Sequence, residues 1–225
     1  EIYCKNAAGH DIEVWNIVFN EYVYPGSREE LLLGNSEKQL EKLKTPGVDT
    51  GMGLERLAMI AQNTKTVFET DAFMLLIQKL PESLSEAQKR IAADHLRGAV
   101  FLLADGIRPS NKQAGYILRR LLRRVLAYEH TQSISPQIFE SVLLHSIEQY
   151  GLFYLELAKE KNTIINEYWA EREKFSKTLE AGIKEMHKYV EIDAPIAFNL
   201  YQSFGISLDV IRDVAKEKAK HVTNE

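Results

Sequence analysis

The sequence predicts an α+β fold in which a small sheet is followed by a mainly helical region. Residues 12–19 have the two-residue alternation of a strand and are rich in β-branched and aromatic residues, which favour strands. Residues 48–57 then pass from a strand pattern through two glycines into apolar residues at helical spacing. Beyond about residue 85, apolar residues recur with helical periodicity through most of the remaining chain.

The composition is that of an ordinary globular protein. The 225 residues are 45% hydrophobic and 27% charged, which suits one large domain or two small ones. The net charge of −4 argues against a protein that coats nucleic acid uniformly, but it allows a local basic patch. Cys4 is the single cysteine, so the sequence excludes an internal disulfide and a multi-cysteine metal site and fits a reducing compartment. No apolar run suggests a membrane span, and the opening at Glu1 rather than Met suggests a fragment.

Two strands are predicted near the start of the chain. Residues 1–4 have the pattern of a strand end, a polar turn follows, and residues 12–19 form the second strand. On that strand Val14, Asn16 and Val18 share one face. Asn16 is the polar exception there and needs hydrogen-bond partners if it is buried. Either it lies near water on an edge strand, or it is the polar group of a pocket floor whose size Val18 limits.

A glycine-rich stretch, Val48–Leu57, organises the first part of the chain. Pro46-Gly47 is expected to interrupt the regular secondary structure just before this stretch. Residues 28–44 suggest a short helix or a mobile insertion. The stretch is predicted to be a short strand that runs through a glycine turn into a helix. Gly51 and Gly53 have no Cβ and let the backbone approach a ligand closely, although many such junctions are only structural turns.

A domain boundary is predicted between residues 80 and 81, which gives domains 1–80 and 81–225. Thr70-Asp71 is expected to cap a helix that runs to Gln78, and Pro81 interrupts the pattern after it.

The first helix of the second domain is predicted to begin at Ser85 and to end near Gly106. It carries His95 beside Asp94, a pair compatible with catalysis. A lone histidine on a helix is more often structural, and we prefer that interpretation.

Residues 107–124 contain six basic residues and no acidic one, in a chain that is acidic overall. Arg119 with Arg123, and Arg120 with Arg124, are i,i+4 pairs of like charge, each destabilising a helix by a few tenths of a kcal/mol. Guanidinium groups at this density favour an anionic partner, and phosphate oxygens fit their forked donors. The alternative is that the arginines form salt bridges with glutamates elsewhere in the chain.

Three helices are predicted at the end of the chain. A long one is expected from Leu155 to Val190, a short one from Ala197 to Gly205, and a last one from about Val210 to Ala219. Ser207-Leu208-Asp209 is expected to cap the last helix, where an acid is also favoured simply by the helix dipole.

Several stretches, taken in order, resemble one family. Asp49-Thr50-Gly51-Met52-Gly53-Leu54-Glu55-Arg56 resembles motif 3 of the class II aminoacyl-tRNA synthetases, in the form found in the alanyl-tRNA synthetase family. The segments that resemble that family are Glu13–Phe19, Val48–Arg56, Ala93–Arg97, Leu103–Gly106, Pro109–Asn111, Gly115–Arg120 and Phe198–Asp209. The resemblance covers nearly the whole chain.

The resemblance implies a fold and a set of site residues. The fold would be α+β, with the C-terminal part of a class II antiparallel-sheet catalytic domain followed by a mainly helical tRNA-recognition domain. Alanine would be bound by Asn16, Val18, Asp49 and Gly51. ATP, as its Mg²⁺ complex, would be bound by Glu13, Gly53 and Arg56, and Asp49 and Arg56 would be the catalytic residues. The acceptor stem of tRNA(Ala), with a wobble G·U pair, would be bound by Asn111, Arg119, Arg120, Arg123, Arg124 and Asp209.

The departures from the family limit this prediction. Motifs 1 and 2 would precede residue 1, the editing domain and the C-terminal domain are missing, and no zinc is expected in this part. The segment Ile206-Ser207-Leu208-Asp209 lacks the proline that is usual after the glycine at 205. We therefore expect an alanine–tRNA ligase segment that is inactive alone, cytoplasmic, without membrane contact, and possessing a partner segment on its N-terminal side. The alternative is a non-catalytic tRNA-binding protein or a split subunit derived from a synthetase.

Overall fold

The computed structural model describes residues 1–34 and 38–219, in which a three-stranded sheet is followed by a series of helices. The predicted α+β class is confirmed. Contacts divide the chain into two compact units, Glu1–Ala72 and Phe73–Glu225. The domain boundary at residues 80 and 81 stays a prediction.

The first unit is built on an antiparallel sheet with the strand order β1-β2-β3. Its elements are β1 (Ile2–Lys5), β2 (Asp11–Val23), α1 (Arg28–Leu33), β3 (Glu41–Met52), α2 (Leu54–Ala61) and a 3-10 turn (Val67–Glu69). Ser27 caps α1 through a reciprocal pair of hydrogen bonds with Glu30, so the helical option for residues 28–44 holds at Arg28–Leu33. Residues 35–37 lie outside the described part, and the last residues of that stretch belong to β3.

The expected break at Pro46-Gly47 is wrong, because β3 runs through it. Pairing with β2 shifts at this point: Asn20 is opposite Gly47, whereas Tyr22 is opposite Lys42. A proline has no N–H to give to a ladder, and an irregularity on an outer strand tolerates that loss. The expected glycine turn is also absent. Gly53 has an extended backbone (φ −76°, ψ 108°), and β3 passes into α2 through that single residue.

The second unit is helical throughout its described part, apart from its connections. Its elements are α3 (Asp71–Gln78, which spans the division), α4 (Glu86–Ala104), α5 (Gln113–Thr131), α6 (Pro136–Tyr150), α7 (Leu155–Lys159), α8 (Lys161–His187), α9 (Ala194–Phe204), α10 (Leu208–Ala215) and a 3-10 turn (Lys216–Ala219). Their buried faces form one apolar core. Its fully buried members include Leu96, Leu103, Leu118, Leu122, Val125, Phe139, Phe175 and Leu200.

Several predicted helix ends are confirmed by their caps. Ser85 and Gln88 form a capping box at the start of α4. Gly106 (φ +84°) and Gly205 (φ +65°) follow α4 and α9 in the left-handed conformation that glycine adopts most easily. Ser207 stands at the N-cap of α10, but its hydroxyl makes no capping hydrogen bond.

The single long helix predicted from Leu155 to Val190 is wrong in two respects. The helix is interrupted at Glu160, which separates α7 from α8. The apolar spacing did not show the interruption, because Leu157 and Ile164 are both fully buried on either side of it. Val190, assigned to the apolar stripe, lies beyond the end of α8 and is 91% exposed.

None of the helices in residues 1–34 and 38–219 is long and apolar enough to cross a membrane.

Candidate functional site

The four residues predicted to bind alanine share one face of the β2–β3 ladder. Asn16 is opposite Gly51, and Val18 is opposite Asp49. Alternate residues of a strand share a face, and so do residues directly opposite each other. Val14 belongs to the same face and is buried, whereas Asp49 and Gly51 are exposed. A Cβ at Gly51 would meet nothing within 4 Å, so there is open space above this backbone.

Asn16 lies on the central strand of the described sheet, so the edge-strand alternative is wrong. Its side chain is half-buried, and its Nδ2 donates to Glu1 Oε1 at 3.5 Å. Two hydrogen bonds join β2 to β3 beside Asn16. Trp15 Nε1 donates to Thr50 Oγ1 at 2.6 Å, and that hydroxyl donates to the Asn16 carbonyl at 3.0 Å. These bonds stabilise the register that brings Asn16 opposite Gly51.

The three residues predicted to bind ATP meet where β3 passes into α2. Arg56 Nη1 donates to the Glu13 carbonyl at 2.9 Å and lies 3.9 Å from Glu13 Oε2. The Gly53 N–H donates to the Val14 carbonyl at 3.1 Å, and a Cβ on Gly53 would come within 3.2 Å of Arg56 Cδ. Glycine at this position therefore leaves room for the arginine. The Arg56 side chain is 54% exposed and presents a cation to solvent beside the start of a helix.

One of the residues predicted to bind ATP lies on the opposite face of the sheet from the residues predicted to bind alanine. Glu13 is an odd-numbered residue of β2, so its side chain leaves the strand on the face opposite to that of Asn16. The residues predicted to bind alanine and those predicted to bind ATP thus lie on the same elements, β2, β3 and the start of α2. The side chain of Glu13, however, is not on the face that carries Asn16 and Asp49.

The second unit contains a basic cavity of about 530 Å³ between α5, α8 and α9. It is lined by Asn111, Tyr116, Arg119, Arg120, Arg123, Lys174, Thr178, Tyr201, Gln202, Ser203, Phe204, Gly205 and Ser207. This lining contains four cationic side chains and no carboxylate. Such a cavity favours an anionic ligand.

Two of the arginines are held by one buried carboxylate. Arg123 Nε donates to Glu171 Oε1 at 2.7 Å, and Arg119 Nε lies 3.5 Å from the same oxygen. Glu171 is 2% exposed. Arg123 also donates from Nη1 to the Gly205 carbonyl at 3.0 Å, and Arg119 donates from Nη1 to Asn111 Oδ1. The arginines are therefore fixed in position, and Asn111 is fixed with them.

The other two arginines bind aspartates of α10. Arg120 donates from Nε and Nη2 to Asp209 Oδ2, with Nε at 2.8 Å. Arg124 donates from Nε to Asp213 Oδ2 at 3.0 Å, and the Tyr128 hydroxyl donates to the same oxygen at 2.6 Å. Burial and this hydrogen bond raise the pKa of Tyr128. Arg124, like Asp209, is not among the residues that line the cavity.

All four arginines thus have intramolecular carboxylate partners. The glutamate expected by the salt-bridge alternative is the partner of Arg119 and Arg123, whereas Arg120 and Arg124 pair with aspartates. Asn111 lines the cavity directly, and Asp209 holds a side chain that lines it. The structure brings the two ends of the predicted tRNA set to one place, although they are far apart in sequence.

Comparison with known families identifies the group to which these two sites belong. Residues 5–225 match the family of tRNA synthetases class II (A). The chain belongs to the class II (A) tRNA synthetases.

Similar proteins include the alanine–tRNA ligases of several bacteria. That of Stenotrophomonas maltophilia is 37% identical over 218 residues, which is 92% of this chain and 24% of the relative. That of Psychromonas ingrahamii is 35% identical over the same shares. That of Legionella pneumophila is 32% identical over 225 residues, 95% of this chain and 25% of the relative. The chain therefore spans about a quarter of the length of these curated relatives.

The class II synthetase chain also contains site residues that the sequence did not reveal. Lys174 and Tyr201 line the basic cavity, and Glu171 organises its arginines. The periodicity of α8 marked only its apolar stripe, so its polar residues gave no signal. Within the described ranges, no group of three or more histidine, cysteine, aspartate or glutamate side chains is arranged to hold a metal ion.

Proposed function

We propose that this chain is the motif 3 part of the catalytic domain of an alanine–tRNA ligase, together with the helices that bind its tRNA. The observation that carries the proposal is the β2–β3 register, which sets Asn16 against Gly51 and Val18 against Asp49. Because the chain spans about a quarter of its relatives, the activity would belong to a longer catalytic unit that also contains motifs 1 and 2.

The proposed roles on this face follow from the chemistry of alanine. The Asp49 carboxylate would bind the substrate's ammonium group by a charge-assisted hydrogen bond, and the Asn16 amide would bind its carboxylate. The bare backbone at Gly51 would let the amino acid come close, and Val18 would leave space only for a methyl group. A face with one anion and one amide suits a small zwitterion of this kind.

ATP, as its Mg²⁺ complex, would lie at the exit of β3 into α2. Arg56 would contact the phosphates and the adenine, with Gly53 leaving room for its side chain and Glu13 near the nucleotide. The alanine carboxylate would attack the α-phosphate and displace pyrophosphate, which forms alanyl-adenylate. The alanyl group would then pass to the 3′ end of the tRNA with release of AMP. This chemistry depends on positioning and charge stabilisation more than on a general base. Asp49 and Arg56 would serve those two needs.

The acceptor stem would bind at the basic cavity of the second unit. Asn111 and Asp209 would contact the bases of a wobble G·U pair, and Arg119, Arg120, Arg123 and Arg124 would give the surface its positive charge. Such a ligase would act in the cytoplasm, where tRNA is aminoacylated.

Alanine-dependent ATP–pyrophosphate exchange tests the proposal. In a polypeptide that joins these residues to motifs 1 and 2, we expect exchange that is much faster with alanine than with larger amino acids. Asp49→Asn should slow it about a hundredfold, because a substrate ammonium group loses its charged partner. Asp11→Asn is the matched control, since Asp11 lies on β2 in an exposed pair with Lys5.

Three results would contradict the proposal. Equal exchange by the Asp49 and Asp11 variants would remove the assigned role of Asp49. Robust exchange by the 225-residue chain alone would show that motifs 1 and 2 are not required. Stem binding without any exchange in the longer polypeptide would instead favour a non-catalytic tRNA-binding protein.

A further inference from the structure

The basic cavity has a wall on α8 that the proposed function does not use. Lys174 and Thr178, one turn apart, line it from this helix, beside Arg123 of α5. Lys174 is exposed, whereas Phe175 next to it is fully buried in the core. The wall is therefore built on a helix whose opposite side is anchored.

The cations of the cavity differ in how far their charge is already neutralised. Arg119 and Arg123 share the buried carboxylate of Glu171, and Arg120 binds Asp209. Lys174 forms no ion pair with any residue in the ranges 1–34 and 38–219. An ammonium group without a carboxylate partner gives its full charge to a ligand, whereas an arginine in a salt bridge must first exchange partners.

The hydroxyl groups that line the same cavity also differ in whether they already have a hydrogen-bond partner. Thr178 Oγ1 donates to the Phe175 carbonyl at 3.0 Å, and Ser203 Oγ donates to Asn199 Oδ1 at 3.0 Å. Ser207 Oγ is buried and has no hydrogen-bond partner among the described residues. A buried hydroxyl is rarely left unsatisfied. Among the described residues that line the cavity, Lys174 is thus a cation without a carboxylate partner and Ser207 is a hydroxyl without a hydrogen-bond partner.

We propose that Lys174 binds a phosphodiester group of the RNA backbone at this cavity, and that Ser207 Oγ is a further donor to the bound RNA. The inference rests on the proposed function and deepens it, because it assigns the phosphate contact to the α8 wall. Arg119 and Arg120 of α5 then position Asn111 and Asp209, and Lys174 adds a phosphate contact that depends on the salt concentration. A contact of this kind is independent of base sequence.

The test is binding of acceptor-stem RNA hairpins to the full 225-residue chain at several salt concentrations. We expect Lys174→Gln to weaken binding several-fold, equally for G·U and G·C stems. We also expect the slope of log affinity against log salt to fall by about one. Lys177→Gln is the matched control, because Lys177 lies on the same helix, outside the cavity, in an exposed pair with Glu173. We expect the Lys177→Gln variant to bind both stems with the affinity and the salt slope of the wild type.

The outcomes separate this inference from the proposed function. If the wild type binds the stems and the Lys174 and Lys177 variants have the same slope, the Lys174 assignment is overturned while the stem-binding proposal stands. If Lys174→Gln changes the preference between the stems, the lysine contacts a base and the backbone role is wrong. If the wild type binds neither stem, the proposed function fails and this inference fails with it.

Ser207→Ala gives an independent measurement. Loss of one donor should weaken binding to both stems about three- to tenfold, without changing the salt slope. Ser203→Ala is its control, because Ser203 also lines the cavity but its hydroxyl already donates to Asn199. Equal affinities of the two variants would remove Ser207 from the proposal.

Discussion

Arg120 and Asp209, which are 89 residues apart in sequence, form an ion pair in which two donors converge on one oxygen. Nε and Nη2 of Arg120 both donate to Asp209 Oδ2, with Nε at 2.8 Å. The arginine side chain is 45% exposed and the aspartate 19%, and the arginine lines the cavity. The fork of the guanidinium fixes the orientation of the carboxylate. It also ties the start of α10 to the middle of α5.

The orientation of Asp209 should matter more than the charge of its partner. Arg120→Lys keeps the positive charge but cannot donate two N–H groups in a rigid fork. We expect this variant to narrow the preference for G·U over G·C stems while leaving total RNA affinity within about threefold. Arg124→Lys is the control, because its partner Asp213 lies away from the cavity lining. An unchanged preference in Arg120→Lys would show that the pair does not orient the aspartate.

The pair between Arg123 and Glu171 should be important for folding. Arg123→Gln would leave a carboxylate that is 2% exposed, and the more distant Arg119 would be its one remaining cationic partner within residues 1–34 and 38–219. Removing one member of a buried pair costs about 3 kcal/mol or somewhat more. Chemical denaturation of the chain measures this cost. The exposed Lys177→Gln variant should differ little from the wild type, and an equally small effect of Arg123→Gln would mean that the pair is not important for stability.

Gly205 should tolerate a side chain less well than Gly106. Both have positive φ, so alanine at either position should cost about 1 kcal/mol of backbone strain. A Cβ at Gly205 would also lie 2.2 Å from Arg123 Nη1, whereas one at Gly106 would meet nothing within 4 Å. The arginine would have to release its bond to the Gly205 carbonyl, at an additional cost of about 1–2 kcal/mol. Similar losses of unfolding free energy in the two variants would contradict this account.

His95 should make the stability of the chain fall in mild acid. Burial is the main cause that lowers the pKa of His95 below its ordinary value of 6.5, and the nearby Arg124 lowers it further, against Asp94 and Asp209. Between the ordinary and the lowered pKa, the unfolded chain takes up a proton that the folded chain does not, so stability is lost as the pH falls below about 6.5. His95→Gln should lose less stability than the wild type between about pH 7.5 and about pH 5. His130→Gln is the control, because His130 is exposed. Equal losses of stability in the wild type and both variants would exclude His95 as the cause.

The sequence predicted best what depends on neighbouring residues. The helix start at Ser85 and the helix ends at Gly106 and Gly205 need only a few adjacent side chains, and each was located correctly. The expected break at Pro46-Gly47 failed because an outer strand with a shifted register does not need the proline N–H. The interruption at Glu160 was missed because burial on both of its sides keeps the same spacing.

The sequence could not choose between phosphate and salt bridges for the arginines. Their partners lie 48 and 89 residues away, at Glu171 and on α10, so only the packed helices show which carboxylates they meet. Lys174 was missed for a related reason. Nothing in the local sequence of α8 distinguishes it from Lys177, and its difference arises only from the cavity that α5 and α9 form beside it.

The central proposal is that this chain contains the part of an alanine–tRNA ligase that recognises its RNA. In a wobble pair the exocyclic amine of guanine is left without its usual partner, in a minor groove that is wide and shallow enough for side chains to reach. An ionised aspartate can only accept from that amine, and an asparagine can both donate and accept across the pair. Each contact would be worth about 1–3 kcal/mol, by analogy with base contacts in DNA.

Paired binding titrations of G·U and G·C acceptor-stem hairpins at one salt concentration test this most directly. We predict that the wild-type chain prefers the G·U stem. Asn111→Ala and Asp209→Ala should each narrow that preference by about tenfold, with little change in binding to unrelated RNA. A wild type without any preference, or variants that both keep the full preference, would contradict the account.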